Sequence, residues 1–362
     1  MAFPFFSSKK FLGIDISTSA IKVVELSERG ERKKLESYGE IQAKVLYEKP
    51  FRTFEKSTLL LSGQDIARAV KAILEEAKIK TKECVFSIPD FSSFFTTFDL
   101  PPMTREELPQ AVRYEARQHV PLPLGEVALD WQVIEGEADH DQKKSKLQIL
   151  LVAVPNEVIN QYKEIARFCG LELMALEAEV FGLIRALVPA DNRETVALID
   201  IGAQSTTCSI VEKRTLKESH SFDLAGNELT DRIAKSLSVD YGTAKSFKEK
   251  YGLQDSPLPY AQAIPYPRTI KEVIQPLIDT ILREVERIVR GNPGREVQKF
   301  VLAGGEALTP GLKEYFQDYL KKEVEIANPF SAIFCPPILE KTLKAMGPSY
   351  SIAVGMALRG LE

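Results

Sequence analysis

The chain has 362 residues and a formal net charge of −4, with 47 Lys and Arg against 51 Asp and Glu. That length exceeds one simple core and suits two or three domains, while the charge balance excludes a global basic field for nucleic acid and leaves the Lys- and Arg-rich patches as solvated faces. Cys84, Cys169, Cys208 and Cys335 are scattered and only three histidines accompany them, which excludes a spaced zinc site and predicts reduced, packed thiols in a cytoplasm.

The opening Met-Ala-Phe-Pro-Phe-Phe is apolar but short, with neither a basic leader nor a cleavage site. No apolar run approaches the roughly 20 residues that span a bilayer. The expectation is a cytoplasmic protein that meets a membrane only through a partner, with Phe3, Phe5 and Phe6 packed on the first domain or docked on another protein.

Two strands follow, Phe11, Leu12, Ile14 and Ile16 in the first and Ile21, Val23, Val24 and Leu26 in the second, joined by the turn Ser17-Thr18-Ser19. Ser62 and Asp65 form the opening of a helix whose stripe Ile66, Ala69, Val70, Ile73, Leu74 and Ala77 belongs to a core. Strands are predicted at 85–88 and 94–99, then a helix capped by Thr104 and Glu107 and stopped by Pro121 and Pro123. A strand around Trp131, a charged connection, a strand over 147–154 and a helix over 156–169 ending at Gly170 close an inserted module.

From Thr195 the pattern restarts, with strands at 196–200 and 206–211 and a helix opened by Phe222-Asp-Leu-Ala-Gly226. Pro257, Pro259, Pro265 and Pro267 make 254–268 a surface loop. A long amphipathic helix over about 270–290 ends at Asn292-Pro293-Gly294. A strand from Lys299 runs into Gly304-Gly305, and a last helix over about 350–359 carries Ala353, Gly355 and Ala357. A similar small-residue segment, Glu179-Val-Phe-Gly182, precedes the restart, so two close-crossing helices are expected as a hinge between two similar domains.

The chemistry lies in the repeat. Phe11-Leu-Gly-Ile-Asp15-Ile-Ser-Thr-Ser19 and Ala197-Leu-Ile-Asp200-Ile-Gly-Ala-Gln-Ser-Thr-Thr207 are each an apolar strand delivering one aspartate into a turn of small, mostly hydroxylated residues. Such turns let backbone amides approach an anion, and the carboxylate holds a hydrated divalent cation that neutralises phosphate charge. Two of them facing each other would clamp a nucleotide.

In order and spacing, the two aspartate turns, the Leu-Ala-Gly helix opening and the diglycine turn resemble the actin and sugar-kinase ATPase superfamily across the chain. The inserted module resembles that of the division protein FtsA. Leu100-Pro-Pro-Met-Thr-Arg-Glu-Glu-Leu108, Arg113-Tyr-Glu-Ala-Arg117, Val120-Pro-Leu-Pro123, Asn328-Pro-Phe330 and Tyr350-Ser-Ile-Ala-Val-Gly-Met-Ala-Leu-Arg-Gly360 are similar to the FtsA-like PilM family of type IV pilus assembly. The fold implied is α/β, an actin-like ATPase with two duplicated lobes around a nucleotide cleft and an FtsA-type inserted subdomain. Its divisions would be 1–84, 174–195 and 340–362 for the first lobe core, 85–173 for the insert, 196–230 and 299–339 for the second lobe core, and 231–298 for its accessory subdomain.

The resemblance also implies residue roles, for ATP and Mg2+ as cofactors. Asp15 would bind the metal through water, with Ser17, Thr18, Ser19 and Lys22 at the β- and γ-phosphates. Asp200 would be the second carboxylate at the cation, and Gly202, Gln204, Ser205 and Thr206 the opposing phosphate turn. Gly226 would lie near the ribose, Lys248 and Glu249 would wall the ribose and adenine, and Gly304, Gly305 and Glu306 would let the adenine lie flat on backbone. Lys22 as a strand-face cation and Lys248-Glu249 as a solvated helix surface are the competing readings. Ala203 stands where actin-like enzymes carry a second acid, a departure that spares binding more than hydrolysis. Glu179 is the candidate for polarising the attacking water, against a carboxylate on a helix surface.

The function so implied is an ATP-binding scaffold with weak ATPase activity at most, whose groove between first domain and insert takes the cytoplasmic N-terminal tail of PilN. Through PilN it would join PilO and the inner-membrane pilus platform, with homo-oligomerisation left open. A polymerising FtsA-like division protein is the alternative, disfavoured because the chain stops at Gly360-Leu361-Glu362 without an amphipathic anchor. An actin-fold small-molecule kinase would need a base aspartate over a substrate cleft, which no motif in the insert supplies.

Overall fold

The computed structural model describes residues 9–30, 32–46, 51, 59–136, 146–255, 269–291 and 295–362. The N-terminal phenylalanines, the four-proline loop and Asn292-Pro293-Gly294 lie outside the described residues.

The first sheet begins with β1 (Lys9–Ile16), β2 (Ala20–Arg29) and β3 (Arg32–Gln42), followed by the single turn α1 (Ala43–Leu46) and helix α2 (Gly63–Glu76). Next come β4 (Glu83–Ile88), β5 (Phe94–Leu100), α3 (Leu108–His119), β6 (Val127–Glu135), β7 (Leu147–Pro155), α4 (Asn156–Cys169), β8 (Glu172–Ala178) and α5 (Glu179–Leu187). The second half runs β9 (Thr195–Ile201), β10 (Thr206–Glu212), β11 (Thr215–Phe222), α6 (Gly226–Leu237), α7 (Tyr241–Tyr251) and α8 (Ile270–Arg290). It closes with β12 (Lys299–Ala303), α9 (Leu312–Leu320), β13 (Glu323–Ile326) and α10 (Glu340–Leu361).

Two sheets repeat one plan, with strand order β3-β2-β1-β4-β8 in the first and β11-β10-β9-β12-β13 in the second. In each, the central strand pairs antiparallel with its hairpin partner and parallel with the strand on its other side. Asp15 and Asp200 therefore stand near the C-terminal ends of equivalent strands.

Both faces of the central strands are covered, which is why β1 and β9 are apolar from Phe11 to Ile14 and from Val196 to Ile199. On β1, Leu12, Ile14 and Ile16 pack with α2 and α4, whereas Phe11 packs with α10. Gly13 shares that second face, where a Cβ would lie 1.9 Å from the Ala353 carbonyl oxygen of α10. On β9, Ala197, Ile199 and Ile201 pack with α6 and α8, while Val196 and Leu198 join α5 and α10. Helices α5 and α10 thus form a shared layer between the sheets, with Ile352 and Met356 touching a cluster drawn from both.

The three-stranded sheet β5-β7-β6 is antiparallel and carries α3 on one face. Of the span 85–173 expected as an insert, β4 lies in the first sheet and α4 packs on α2, so the separate sheet occupies 94–155. The insert also meets the second lobe. Leu150 and the partly buried Phe95 and Ile134 cluster with Val211 and Leu216, and the Lys217 ammonium donates to the Ile134 carbonyl at 3.0 Å.

Four edge strands, β3, β8, β11 and β13, escape the sequence pattern. β3 is rich in charge and alternates irregularly between exposed and half-buried positions, β11 carries a register shift against β10, and β13 is four residues long. The last helix starts at Glu340, ten residues before the expected Tyr350, because Pro348 is accommodated inside it. The Pro348 carbonyl accepts from the Gly304 amide at 3.0 Å, which ties α10 to the second lobe's diglycine turn. Helix α3 opens at Leu108, after Thr104 has already donated its amide to Glu107 at 2.8 Å.

Candidate functional site

The first aspartate turn is built on a cross-strand register that sets Asp15 opposite Lys22. Asp15 is 1% exposed and Lys22 7%. The Ser87 hydroxyl at the end of β4 donates to Asp15 Oδ1 at 2.8 Å, and Lys22 Nζ lies 3.8 Å from Oδ2. Lys22 is therefore a buried counter-charge to Asp15 rather than a solvated strand-face cation.

In the turn itself, the Ser17 amide and hydroxyl both donate to the Ala20 carbonyl at 2.9 Å. Thr18 is buried and its carbonyl accepts from Phe51, while Ser19 is exposed and its carbonyl accepts from Ala43. The hydroxyl of Ser17 is committed to shaping the turn, and Ser19 presents its side chain to solvent.

The second turn docks directly on a helix N-terminus. Gly202 donates to the Ser205 carbonyl at 3.0 Å, and its own carbonyl accepts from the Gly226 amide at 3.1 Å. Asn227 donates to Ala203 at 2.7 Å. Thr206 is fully buried and its hydroxyl donates to the Leu224 carbonyl at 2.6 Å. Thr206, expected in the second phosphate turn, braces that turn onto α6 through this hydroxyl. Gln204 and Ser205 remain half-exposed on the turn, and Gln204 borders a solvent-open hollow of about 490 Å3 beside Ala225, Asn227 and Asp231.

Asp200 is half-buried, and the diglycine turn presses against it. Gly304 has φ +87°, and a Cβ there would lie 2.3 Å from the Ile201 carbonyl oxygen and 2.5 Å from Asp200 Oδ1. Only glycine satisfies both the left-handed backbone and that approach. Gly305 is exposed and faces open space.

Gly226, Lys248 and Glu306 converge. The Lys248 ammonium, on a residue 2% exposed, lies 2.6 Å from Glu306 Oε1 and donates to the Gly226 carbonyl at 2.9 Å. A Cβ on Gly226 would meet Glu306 Oε1 at 2.2 Å. Glu249 does not join them; it is exposed, with its carboxylate 3.7 Å from Lys245. The helix pair thus splits, one residue inward and one solvated.

Glu179, the first residue of α5, is 7% exposed and accepts from the Asp90 amide at 3.3 Å. It is not a surface carboxylate. Three residues at this site escape sequence reasoning, Ser87, Asp90 and Tyr241, since none belongs to a motif. The Tyr241 hydroxyl donates to Asn227 Oδ1 at 2.9 Å beside Gly226, and burial pushes its phenol above the ordinary value. A serine and an acid at the C-terminal end of a buried strand after an aspartate strand are the signal that points to the first two.

Comparisons with known proteins bear on the fold and the family. By sequence the chain is 24% identical over 203 residues to the cell division protein FtsA of Staphylococcus epidermidis, a match covering 51% of this chain and 43% of that protein. The chain thus spans under half the length of that relative. By structure it is similar to the PilM–PilN type IV pilus biogenesis complex, with TM-score 0.81, 23% identity, and coverage of 97% of this chain and 98% of that one. MreB5 of Spiroplasma citri bound to ADP gives TM-score 0.55 at 13% identity, covering 97% and 95% of the two chains. These likenesses establish an actin-like ATPase fold. The model of the type IV pilus assembly protein PilM matches residues 13–361, and the chain belongs to that family.

Proposed function

We propose that this protein is a nucleotide-responsive scaffold of the type IV pilus assembly machinery, which takes ATP and Mg2+ between its two lobes and receives the N-terminal cytoplasmic tail of PilN on the insert side. One observation supports the nucleotide reading above the others. Two sheets of the same strand order each end their central strand in an aspartate, and each aspartate precedes a tight turn.

The residues suit that cargo. Asp15 and Asp200 offer hard oxygen donors, and Gly304 leaves room for nothing larger than hydrogen beside the second. Among the described residues no cluster of three or more His, Cys, Asp or Glu forms a metal cage. That pattern fits Mg2+, which arrives with phosphate oxygens and keeps waters. When bound, the ion would neutralise phosphate charge. Lys22 and Ser87 hold Asp15 in one orientation, Gly202 to Ser205 offer a turn of small groups opposite, and Lys248 with Glu306 forms a floor beside Gly226. With Ala203 in place of a second acid, water at such an ion would be less ordered and hydrolysis slow.

PilN enters as partner because the PilM–PilN complex has this fold along nearly the whole chain. An extended tail fits an insert with edge strands at β5 and β6, through strand addition. Among the described residues no helix is long and apolar enough to cross a membrane, so attachment to the inner membrane would run through PilN and, beyond it, PilO.

The test is calorimetric titration of a synthetic PilN tail with and without Mg-ATP, repeated on Asp200→Ala. The expected result is tighter binding with nucleotide and loss of that gain in the variant; affinity indifferent to both overturns the coupling. A polymerising division protein is the second reading, favoured by the FtsA matches, and filaments formed on lipid vesicles without any partner would establish it.

A further inference from the structure

Helix α5 begins at Glu179, and the residue before it, Ala178, has no side chain to accept from the helix's free amides. The acceptor comes from elsewhere in the chain. Asp90, in the short turn over Asp90–Ser92 after β4, is 5% exposed, and its Oδ1 accepts from the Val180 amide at 3.1 Å. Val180 is the second residue of α5, the position that an ordinary N-cap side chain reaches. The contact is reciprocal, since the Asp90 amide donates to Glu179 Oε2 at 3.3 Å. Asp90 therefore holds the helix end with its side chain and the Glu179 carboxylate with its backbone.

We propose that Asp90 is a positioning residue for Glu179. This rests on the nucleotide-binding reading above, with Glu179 as its candidate for polarising water, and adds to it the group that fixes that side chain. An anionic cap in place of Ala178 offsets the positive pole of α5, and a carboxylate buried with one fixed amide donor keeps its direction without waiting for solvent to reorganise. Glu179 is the first residue of its helix, where fraying is easiest, so its direction depends on that cap.

Ser87 connects the same stretch of chain to Asp15. Its hydroxyl orients Asp15 from the penultimate position of β4, three residues before Asp90. One segment, 87–90, thus sets the directions of the first-lobe carboxylate and of Glu179. The same chain continues through Ser92 and Ser93 into β5 of the insert.

The experiment compares Asp90→Ala, Asp90→Asn, Glu179→Gln and the Asp90→Ala/Glu179→Gln double variant. Three quantities are measured on the full chain: hydrogen exchange over residues 179–183, affinity for a fluorescent ATP analogue with Mg2+, and single-turnover hydrolysis of ATP followed over hours. Asp90→Ala is expected to speed exchange at the start of α5 and slow hydrolysis about tenfold, with affinity within about twofold of the parent. Asp90→Asn keeps an oxygen acceptor for the Val180 amide and is expected to stay near the parent. The double variant should be no slower than Glu179→Gln alone.

Unchanged exchange at 179–183 in Asp90→Ala overturns the proposal, whatever hydrolysis does. A double variant clearly slower than Glu179→Gln also overturns it, because Asp90 would then act by another route. If Glu179→Gln itself leaves hydrolysis untouched while exchange responds to Asp90→Ala, the fault lies in the role given to Glu179, and the positioning role falls with it. Loss of ATP affinity in the parent and all variants alike rejects the nucleotide reading instead.

Discussion

Gly355 of α10 faces Gly182 of α5 so closely that a Cβ at 355 would lie 2.0 Å from the Gly182 carbonyl oxygen and 2.4 Å from its carbon. The obstacle is backbone, which cannot swing aside. A Cβ at Gly182 would instead meet the Met356 methyl at 2.6 Å, a flexible end, and the Ile352 carbonyl at 3.3 Å. The same small residues that the sequence marks as a hinge are those that bring the shared helix layer together.

Alanine substitutions should therefore rank. Gly355→Ala is expected to lose about 3 kcal/mol and Gly182→Ala about 1 kcal/mol, within the range for overpacking a close-packed interior. Urea unfolding of both variants checks this. Equal losses, or the reverse order, would contradict the picture of backbone against backbone at 355.

The Lys248–Glu306 pair is buried on the lysine side, with side-chain exposures of 3% and 14%. Removing one partner leaves the other charge without compensation, so Lys248→Met should cost on the order of 3 kcal/mol. A double change to Lys248→Met/Glu306→Leu should recover much of that. Glu249→Ala, on the solvated face, should stay within about 0.5 kcal/mol of the parent. A Glu249→Ala variant as unstable as Lys248→Met would overturn the inward and outward assignment.

The central strands β1, β9 and β12 were legible because burial on both faces leaves mostly apolar residues at their centres, and the two aspartates stand out against that background. The helix α2 was legible through Ser62, whose hydroxyl does accept from the Asp65 amide at 3.2 Å. The edge strands of the two lobe sheets were not. β3 has one solvated edge, and its run Arg32-Lys-Lys-Leu-Glu-Ser carries charge that pattern reasoning assigns to a loop. The last helix was expected over about 350–359, yet α10 starts at Glu340 and continues through Pro348 because its neighbours supply the packing that propensity lacks. At the site, motif residues were found but their partners were not. Ser87 and Asp90 act through contacts with residues 72 and 90 positions away, and no local pattern records such distances.

Cys84, Cys169 and Cys208 are buried, and burial pushes each thiol up to about 12. At pH 8 such thiols are about one part in ten thousand thiolate, the reactive form. Cys335 is half-buried and raised by the same cause. A disulfide-exchange reagent at pH 8 should therefore label the folded protein at Cys335 first, with the other three reacting only as denaturant unfolds the lobes. Rapid labelling of Cys84 or Cys169 in the folded protein would show that the α2–α4 layer opens readily.

The insert and the second lobe share one cluster of charges, and it makes a prediction about acid. Glu135, at the end of β6, accepts from Arg295 and from Lys217, the latter at 3.1 Å, while Glu212 lies 3.8 Å from Lys217 and 3.5 Å from Arg295. The Arg295 hydrogen bond, followed by that from Lys217, holds the Glu135 carboxyl below its ordinary value of 4.5. A carboxylate depressed in the folded state contributes stability above its unfolded value, and that contribution fades as pH falls through the folded one. Glu135 is 48% exposed, so solvent screening keeps the effect under about 1 kcal/mol. The Lys217 contact with the Ile134 carbonyl survives the change. Glu135→Gln should thus unfold slightly more easily than the parent at pH 7 in low salt, and the gap should close as pH falls below 4.5 and in about 1 M salt. Paired urea melts across that range measure it, and a gap that widens in acid would mean that Glu135 is not held by the cations of the second lobe.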